Sequence, residues 1–93
     1  MATVYLTYAI ADSLPIMQAS SGKSETVTSS GTSASGGITC RNGDVVQVFC
    51  ATSVAVTAGT TPTATLATGI VAPAGTTIYL RPKEGDKIAV IDV

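Results

Sequence analysis

The groups of this 93-residue chain that could perform acid–base chemistry are carboxylates and cysteines, because the sequence contains no histidine. A general acid–base pair needs two groups held close together. Only Glu84 and Asp86 are close in sequence, and they stand beside Lys83 and Lys87. This pattern favours solvated charges in a turn over a glycosidase-like pair or a calcium ligand set. The other carboxylates are scattered: Asp12, Glu25, Asp44 and Asp92.

The two cysteines have no neighbouring base that would generate a thiolate, so packing is favoured over nucleophilic catalysis. A metal site of two cysteines without histidine is also disfavoured. Asn42-Gly43 predicts a tight hairpin turn, which would place Cys40 opposite Val45 and Cys50 near Ser35, too far apart for a disulfide. We therefore predict two free, buried thiols. The alternatives are a disulfide in a different hairpin or a crosslink between subunits.

Glycines and tyrosines offer no stronger site. The glycines of residues 22–37 lack the spacing of a phosphate-binding loop between a strand and a helix. Tyr5, Tyr8 and Tyr79 could stack on a sugar or a base, but in a small β protein the rim of the core is the more common place for tyrosine. We therefore assign no catalytic, cofactor-binding or metal-binding residue, and we expect no enzyme activity and no cofactor.

The composition favours contact between neutral surfaces. Charged residues make up 12% of the chain, the net charge is −1 and hydrophobic residues reach 45%. Nucleic-acid binding is disfavoured because it needs a basic surface. Large uncharged areas favour self-association, so we expect a homo-oligomer, either a trimer or a dimer. No apolar run is long enough for a membrane helix and the first residues lack a secretory pattern, so we expect synthesis in the cytoplasm and no membrane partner.

The apolar pattern predicts short strands and no amphipathic helix. Residues 45–51 are apolar on both faces, which is typical of a central strand. The predicted strands cover residues 3–9, 15–19, 25–29, 44–52, 54–58, 67–71, 76–81 and 87–93. The predicted core consists of Val46, Val48, Phe49, Cys50, Val54, Val56, Ile78, Leu80, Ile88 and Val90.

Residues 20–37 have a different composition, because most of them are Ser, Thr or Gly and Val27 is the only large apolar side chain. Such a stretch is typical of a flexible loop or a polar edge strand. We predict a loop or arm with one short strand, rather than an ordered strand pair. If the arm is ordered, we expect a neighbouring subunit to order it.

The number and spacing of the strands predict one all-β domain over residues 1–93. A small β-sandwich of the jelly-roll kind fits best, and a small closed β-barrel is the second choice.

The order of several short motifs resembles the small β-sandwich virion proteins of tailed bacteriophages. The motifs are NGDVVQV at 42–48, SVAVTAG at 53–59, TPTAT at 61–65, PAG at 73–75 and GDKIAVI at 85–91. Each motif alone is common in β proteins, and the resemblance lies in their order. It covers residues 43–93, whereas residues 1–37 share only the richness in Ser and Thr.

The resemblance implies a capsid decoration or cement protein, or a related head or tail component, with no catalytic residues. The implied partners are the major capsid protein or another virion protein, and the implied location is the virion. A receptor- or glycan-binding module of a phage fibre is the alternative, and an enzyme or inhibitor is the least favoured class. A shallow pocket lined by Tyr5, Tyr8 or Tyr79 would favour the glycan module, whereas a flat uncharged face would favour decoration.

Overall fold

A computed structural model describes residues 2–10 and 22–93, and within them the chain forms β-strands and no helix. The strands are β1 (Thr3–Ile10), β2 (Lys23–Thr28), β3 (Ala34–Ser35), β4 (Asp44–Cys50), β5 (Val54–Gly59), β6 (Ile70–Ala72), β7 (Ile78–Leu80) and β8 (Lys87–Asp92). The predicted strand at 15–19 and Asp12 lie outside the described residues.

The strands form two antiparallel four-stranded sheets that pack face to face. The first sheet has the order β2-β1-β4-β7 and the second has the order β3-β8-β5-β6. The chain crosses between the sheets from β2 to β3, β3 to β4, β4 to β5, β6 to β7 and β7 to β8. This alternation is the jelly-roll arrangement. The prediction of a small all-β sandwich is confirmed, and the two separate sheets exclude the closed barrel.

Period-two alternation places the core between the sheets. Val4, Leu6 and Tyr8 of β1 are fully buried, whereas Thr3 and Tyr5 at alternate positions are exposed and Thr7 is partly exposed. Each buried aliphatic side chain contributes about 1.5–3 kcal/mol relative to full exposure. The core cluster is formed by Val4, Leu6, Tyr8, Val27, Cys40, Val46, Val48, Cys50, Val54, Val56, Ala72, Ile88 and Val90.

The predicted core is largely correct. Ile78 and Leu80 are only partly buried, but they pack against the core cluster. Phe49 was wrongly placed in the core, because it lies opposite Tyr5 on the outward-facing side of the first sheet. Residues 45–51 were correctly predicted as a central strand, since β4 lies between β1 and β7.

The hairpin predicted around Asn42-Gly43 is wrong, although the turn itself is present. The Asp44 backbone N–H donates to the Arg41 carbonyl over 3.1 Å, and Gly43 has a φ of 88°, which favours glycine. The strand after the turn pairs with β1 and β7, not with the residues before the turn. The Cys40 backbone instead pairs with a distant turn: its N–H donates to the Asp86 carbonyl over 2.8 Å, and its carbonyl accepts from the Gly85 N–H over 2.9 Å.

The Ser/Thr-rich segment is part of the sandwich in its described portion, residues 22–37, which differs from the expected loop or arm. It contributes β2 to one edge of the first sheet and β3 to one edge of the second. The chain's own strands β1 and β8 pair with them, so no neighbouring subunit is needed to order this segment. Composition did not show this because Thr and Ser are compatible with an edge strand whose outer face meets solvent.

Candidate interaction surfaces

The carboxylate pair Glu84 and Asp86 lies in a turn, where Asp86 has a structural role. Its Oδ2 accepts from the Lys83 backbone N–H over 3.0 Å, and its own N–H donates to the Lys83 carbonyl over 3.1 Å. Glu84 is exposed. This arrangement fits the solvated turn charges that the sequence predicted.

Glu25 ties the two sheets together along one side of the sandwich. The Tyr8 hydroxyl donates to Glu25 Oε2 over 2.5 Å. The Gly37 and Ile38 backbone N–H groups, which follow β3, donate to Glu25 Oε1 over 2.8 Å and to Oε2 over 3.3 Å. Burial and this carboxylate together raise the pKa of Tyr8 far above its ordinary value. We call the side formed by edge strands β2 and β3, with Glu25, the closed side.

Sequence reasoning missed the role of Glu25. A usable pattern was present: Glu25 alternates with Val27, so both face the interior when the segment is a strand. Gly36 completes the arrangement, because a Cβ at this position would lie 2.4 Å from Glu25 Oε2. Only glycine allows the backbone to approach the carboxylate this closely.

Asp44 and Arg41 form an ion pair at the start of β4. Arg41 Nη2 lies 2.8 Å from Asp44 Oδ1, and the Arg41 backbone N–H donates to Oδ2 over 2.7 Å. Burial alone would raise the pKa of Asp44, but the bonds and charge of Arg41 outweigh burial and hold this pKa below its ordinary value. Asp44 is therefore an ionised structural anchor for the turn.

Both cysteines are free and buried, as predicted, but for a different geometric reason. Cys50 lies opposite Val4 at the far end of β4, not near Ser35. Burial raises the pKa of Cys40 to about 11, and the charges of Asp44, Asp86 and Glu25 act in the same direction. The Cys40 thiol is therefore protonated at neutral pH, and a protonated thiol is a poor nucleophile.

The part of the chain that the structure describes contains no group of three or more Cys, Asp or Glu side chains arranged to hold a metal ion. Over residues 2–10 and 22–93 no helix has the length and hydropathy to cross a membrane.

The outer face of the first sheet carries no charged side chain among its described strand residues. Tyr5 and Phe49 face each other across β1 and β4, with ring centroids 6.4 Å apart and planes tilted by 38°. Gln47 lies between Thr7 on β1 and Tyr79 on β7. Tyr5 and Tyr79 are exposed, whereas Ala9 and Val45 at one end of this face are buried. The strand residues on this face are Thr3, Tyr5, Thr7, Ala9, Ser24, Thr26, Thr28, Val45, Gln47, Phe49 and Tyr79.

The outer face of the second sheet is covered by the chain itself. The Ala64 N–H, in the loop over residues 60–69, donates to Ser33 Oγ over 2.8 Å. Ala55, Ala64 and Ala89 are buried, and these small side chains let the loop approach the sheet closely. A Cβ at Gly69 would lie 2.8 Å from the Ala55 Cβ, which shows how tight this contact is.

The three tyrosines do not form one site. Tyr8 is buried in the core, whereas Tyr5 and Tyr79 lie on the outer face of the first sheet. A groove of about 310 Å³ opens elsewhere, between edge strands β6 and β7, and neither exposed tyrosine lines it. Its lining is formed by Val56, Thr57, Ala58, Thr68, Ile70, Leu80, Arg81 and Pro82. We call the side formed by β6 and β7, with this groove, the open side.

Comparison of the chain with family models, curated proteins and solved structures gives no match.

Proposed function

We propose that this protein is a non-enzymatic structural component of a tailed-phage virion, in which it binds the outside of the assembled head as a decoration or cement protein. The observation that carries the proposal is the uncharged outer face of the first sheet, on which Tyr5 and Tyr79 are exposed. The motif order over residues 43–93 supplies the phage context. The major capsid protein, or another repeating virion protein, is the proposed partner.

The outer face suits docking on a protein lattice. It is built on the hydrogen-bonded strands β1 and β4 at the centre of the first sheet, so it loses little conformational entropy on binding. Tyr5, Phe49 and Tyr79 supply aromatic area, and aromatic residues are enriched in the centres of protein interfaces. If the copies are linked in an oligomer, one bound copy raises the effective concentration of the next on the lattice, so weak individual contacts add up to firm binding.

The Ser/Thr-rich segment does not supply a free docking arm for this function. The described part of that segment is held by the protein's own sheets, so its removal would destroy two edge strands rather than a contact. The outer face takes its place as the proposed contact surface.

The glycan-binding alternative is less well supported by the geometry. Sugar sites are usually concave, with polar groups that converge on the ligand. Here Tyr5 and Tyr79 lie on the outer face of a sheet, and Tyr8 is bound to Glu25 in the interior. The three tyrosines therefore do not converge on one ligand.

The test uses phage shells that lack this protein. Purified wild-type protein should co-sediment with the shells and increase their survival on heating. Tyr5→Lys places a charge at the centre of the outer face and should weaken binding by at least tenfold. Ala67→Lys, at an exposed position of the loop over the second sheet, is the matched control and should bind like wild type.

The salt dependence of binding distinguishes docking through an uncharged face from docking through ion pairs. We expect binding to change little between low and high salt, because the outer face contributes no ion pairs. Absence of co-sedimentation and of thermal protection, together with saturable binding to a bacterial surface glycan, would replace the cement function with the fibre module.

A further inference from the structure

The open side of the sandwich exposes an unusual concentration of apolar surface. Ile70 and Val71 of β6 are 57% and 49% exposed, and Leu66 of the preceding turn is 60% exposed. Ile70 points to the interior side of its sheet, since it pairs with buried Val56, yet no strand of the first sheet covers it. It lines the groove instead. Clustered apolar exposure of this kind typically marks a contact surface.

The edge strands of the open side have three residues each, but they carry no charged side chain that would oppose strand pairing. Natural edge strands are protected by charged side chains, proline or very short length. On the closed side β2 contains Lys23 and Glu25, and β3 has two residues. By contrast, β6 and β7 contain only apolar residues and tyrosine, and each ends its sheet. The outer backbone edge of β6 can therefore accept another extended strand.

We propose that the open side binds a second copy of this chain about a twofold axis, with β6 of one copy antiparallel to β6 of the other. In a pairing centred on Val71, Ile70 of each copy faces Ala72 of the other, so a large side chain meets a small one twice. Because β6 contains no charged residue, this pairing brings no like charges together. The second sheets of the two copies join into one eight-stranded sheet, and the pairing ends at Pro73.

The small size of this contact sets its strength. A strand pair of three residues with the groove beside it falls below the roughly 1,200 Å² of total buried area found in stable specific interfaces. The dimer is accordingly weak in free solution and forms in the high-micromolar range. It leaves the outer face of the first sheet uncovered, so a dimer still presents two docking faces. The inference does not rest on the proposed virion role.

Sedimentation equilibrium of purified protein, from about 10 µM to about 1 mM, tests the proposal. The wild-type mass should rise from 9.3 kDa toward twice that value with increasing concentration. Val71→Lys places a charge on the pairing strand at an exposed position, and it should raise the dissociation constant at least tenfold while far-ultraviolet circular dichroism remains unchanged.

Two matched lysine variants give the control. Thr26→Lys lies on the opposite edge strand β2, and Tyr5→Lys lies on the outer face of the first sheet; both should dimerise like wild type. The proposal is overturned if the wild-type mass remains that of a monomer over the whole concentration range, or if it rises to that of a trimer. It is equally overturned if Tyr5→Lys or Thr26→Lys abolishes association and Val71→Lys does not.

Discussion

The two sides of the sandwich solve the problem of exposed sheet edges in opposite ways. On the closed side, Glu25 accepts bonds from Tyr8 and from the backbone after β3, so one carboxylate connects both sheets. On the open side, Ile70 and Leu80 border a groove between the sheets. A small β-sandwich can therefore hold its two sheets together with hydrogen bonds along one side and keep apolar edge strands accessible to a partner along the other.

Substitutions on the closed side should therefore lower the free energy of unfolding more than substitutions on the open side. Buried polar groups cost far more when they lose their partners than exposed side chains cost when they change. Glu25→Ala, Gly36→Ala and Val71→Lys test this contrast, and Asp44→Asn tests a further polar contact at the start of β4; they follow from the largest expected effect to the smallest.

Glu25→Ala should destabilise the protein by about 3 kcal/mol, because it leaves the Tyr8 hydroxyl and two backbone N–H groups without their acceptor. Urea unfolding followed by circular dichroism measures the change. Tyr8→Phe removes only the hydroxyl and should cost about 1 kcal/mol. Equal stability of Glu25→Ala and wild type would mean that Glu25 does not hold the sheets together.

Asp44→Asn should cost about 2 kcal/mol at pH 7, because it removes the charge that Arg41 binds at the start of β4. It should also change the acid response. The folded pKa of Asp44 lies below its unfolded value, so its stabilisation is present above pH 4 and is lost as the pH falls through the lower folded pKa.

Unfolding measured from pH 7 to pH 2 checks the sign of this effect. Wild type should lose more stability than Asp44→Asn over the acid range, and the two curves should approach each other at low pH. Parallel curves would contradict the assigned role of the Asp44 carboxylate.

Gly36→Ala should cost about 1–2 kcal/mol, since its Cβ would lie 2.4 Å from the Glu25 carboxylate and force that side chain to move. Gly37→Ala is the matched neighbour, because a Cβ there meets nothing within 4 Å. The comparison uses thermal melts of the two variants. If Gly37→Ala lowers the melting temperature more than Gly36→Ala does, the close approach of Gly36 to Glu25 is not what makes glycine necessary at position 36.

Val71→Lys, on the open side, should change monomer stability by less than about 0.5 kcal/mol, because this exposed side chain contributes little to the core. Urea unfolding at about 5 µM measures the monomer alone. A loss comparable to that of Glu25→Ala would remove the distinction between the two sides.

The sequence was sufficient for the fold class and for most of the core, because β4, β5 and β8 have strong period-two or continuous apolar patterns. It was insufficient for strand pairing. The Asn42-Gly43 turn predicted a local hairpin, but β4 gains far more by lying between β1 and β7, which cover both of its edges. Local turn chemistry does not specify which distant strand becomes the neighbour.

The interaction surfaces were harder to predict than the core. Phe49 and Gln47 alternate with buried valines, but whether their face meets solvent or a second layer depends on the whole topology. The second sheet illustrates the point: Ala55 and Ala89 also face away from the core, yet the loop over residues 60–69 covers them. Likewise, the partners of Glu25 are separated from it by at least 12 positions, so no local pattern reveals them.

The position of β8 has a consequence for how the chain is made. β8 lies between β3 and β5 at the centre of the second sheet, and it is the strand on which β3 pairs. On the ribosome, β5 and β6 emerge well before residues 87–92, so the second sheet cannot close until β8 has left the exit tunnel. Such non-local pairing slows folding. We therefore expect the nascent chain to stay incompletely folded until β8 has emerged, with the apolar strands β4 and β5 available to chaperones up to that point.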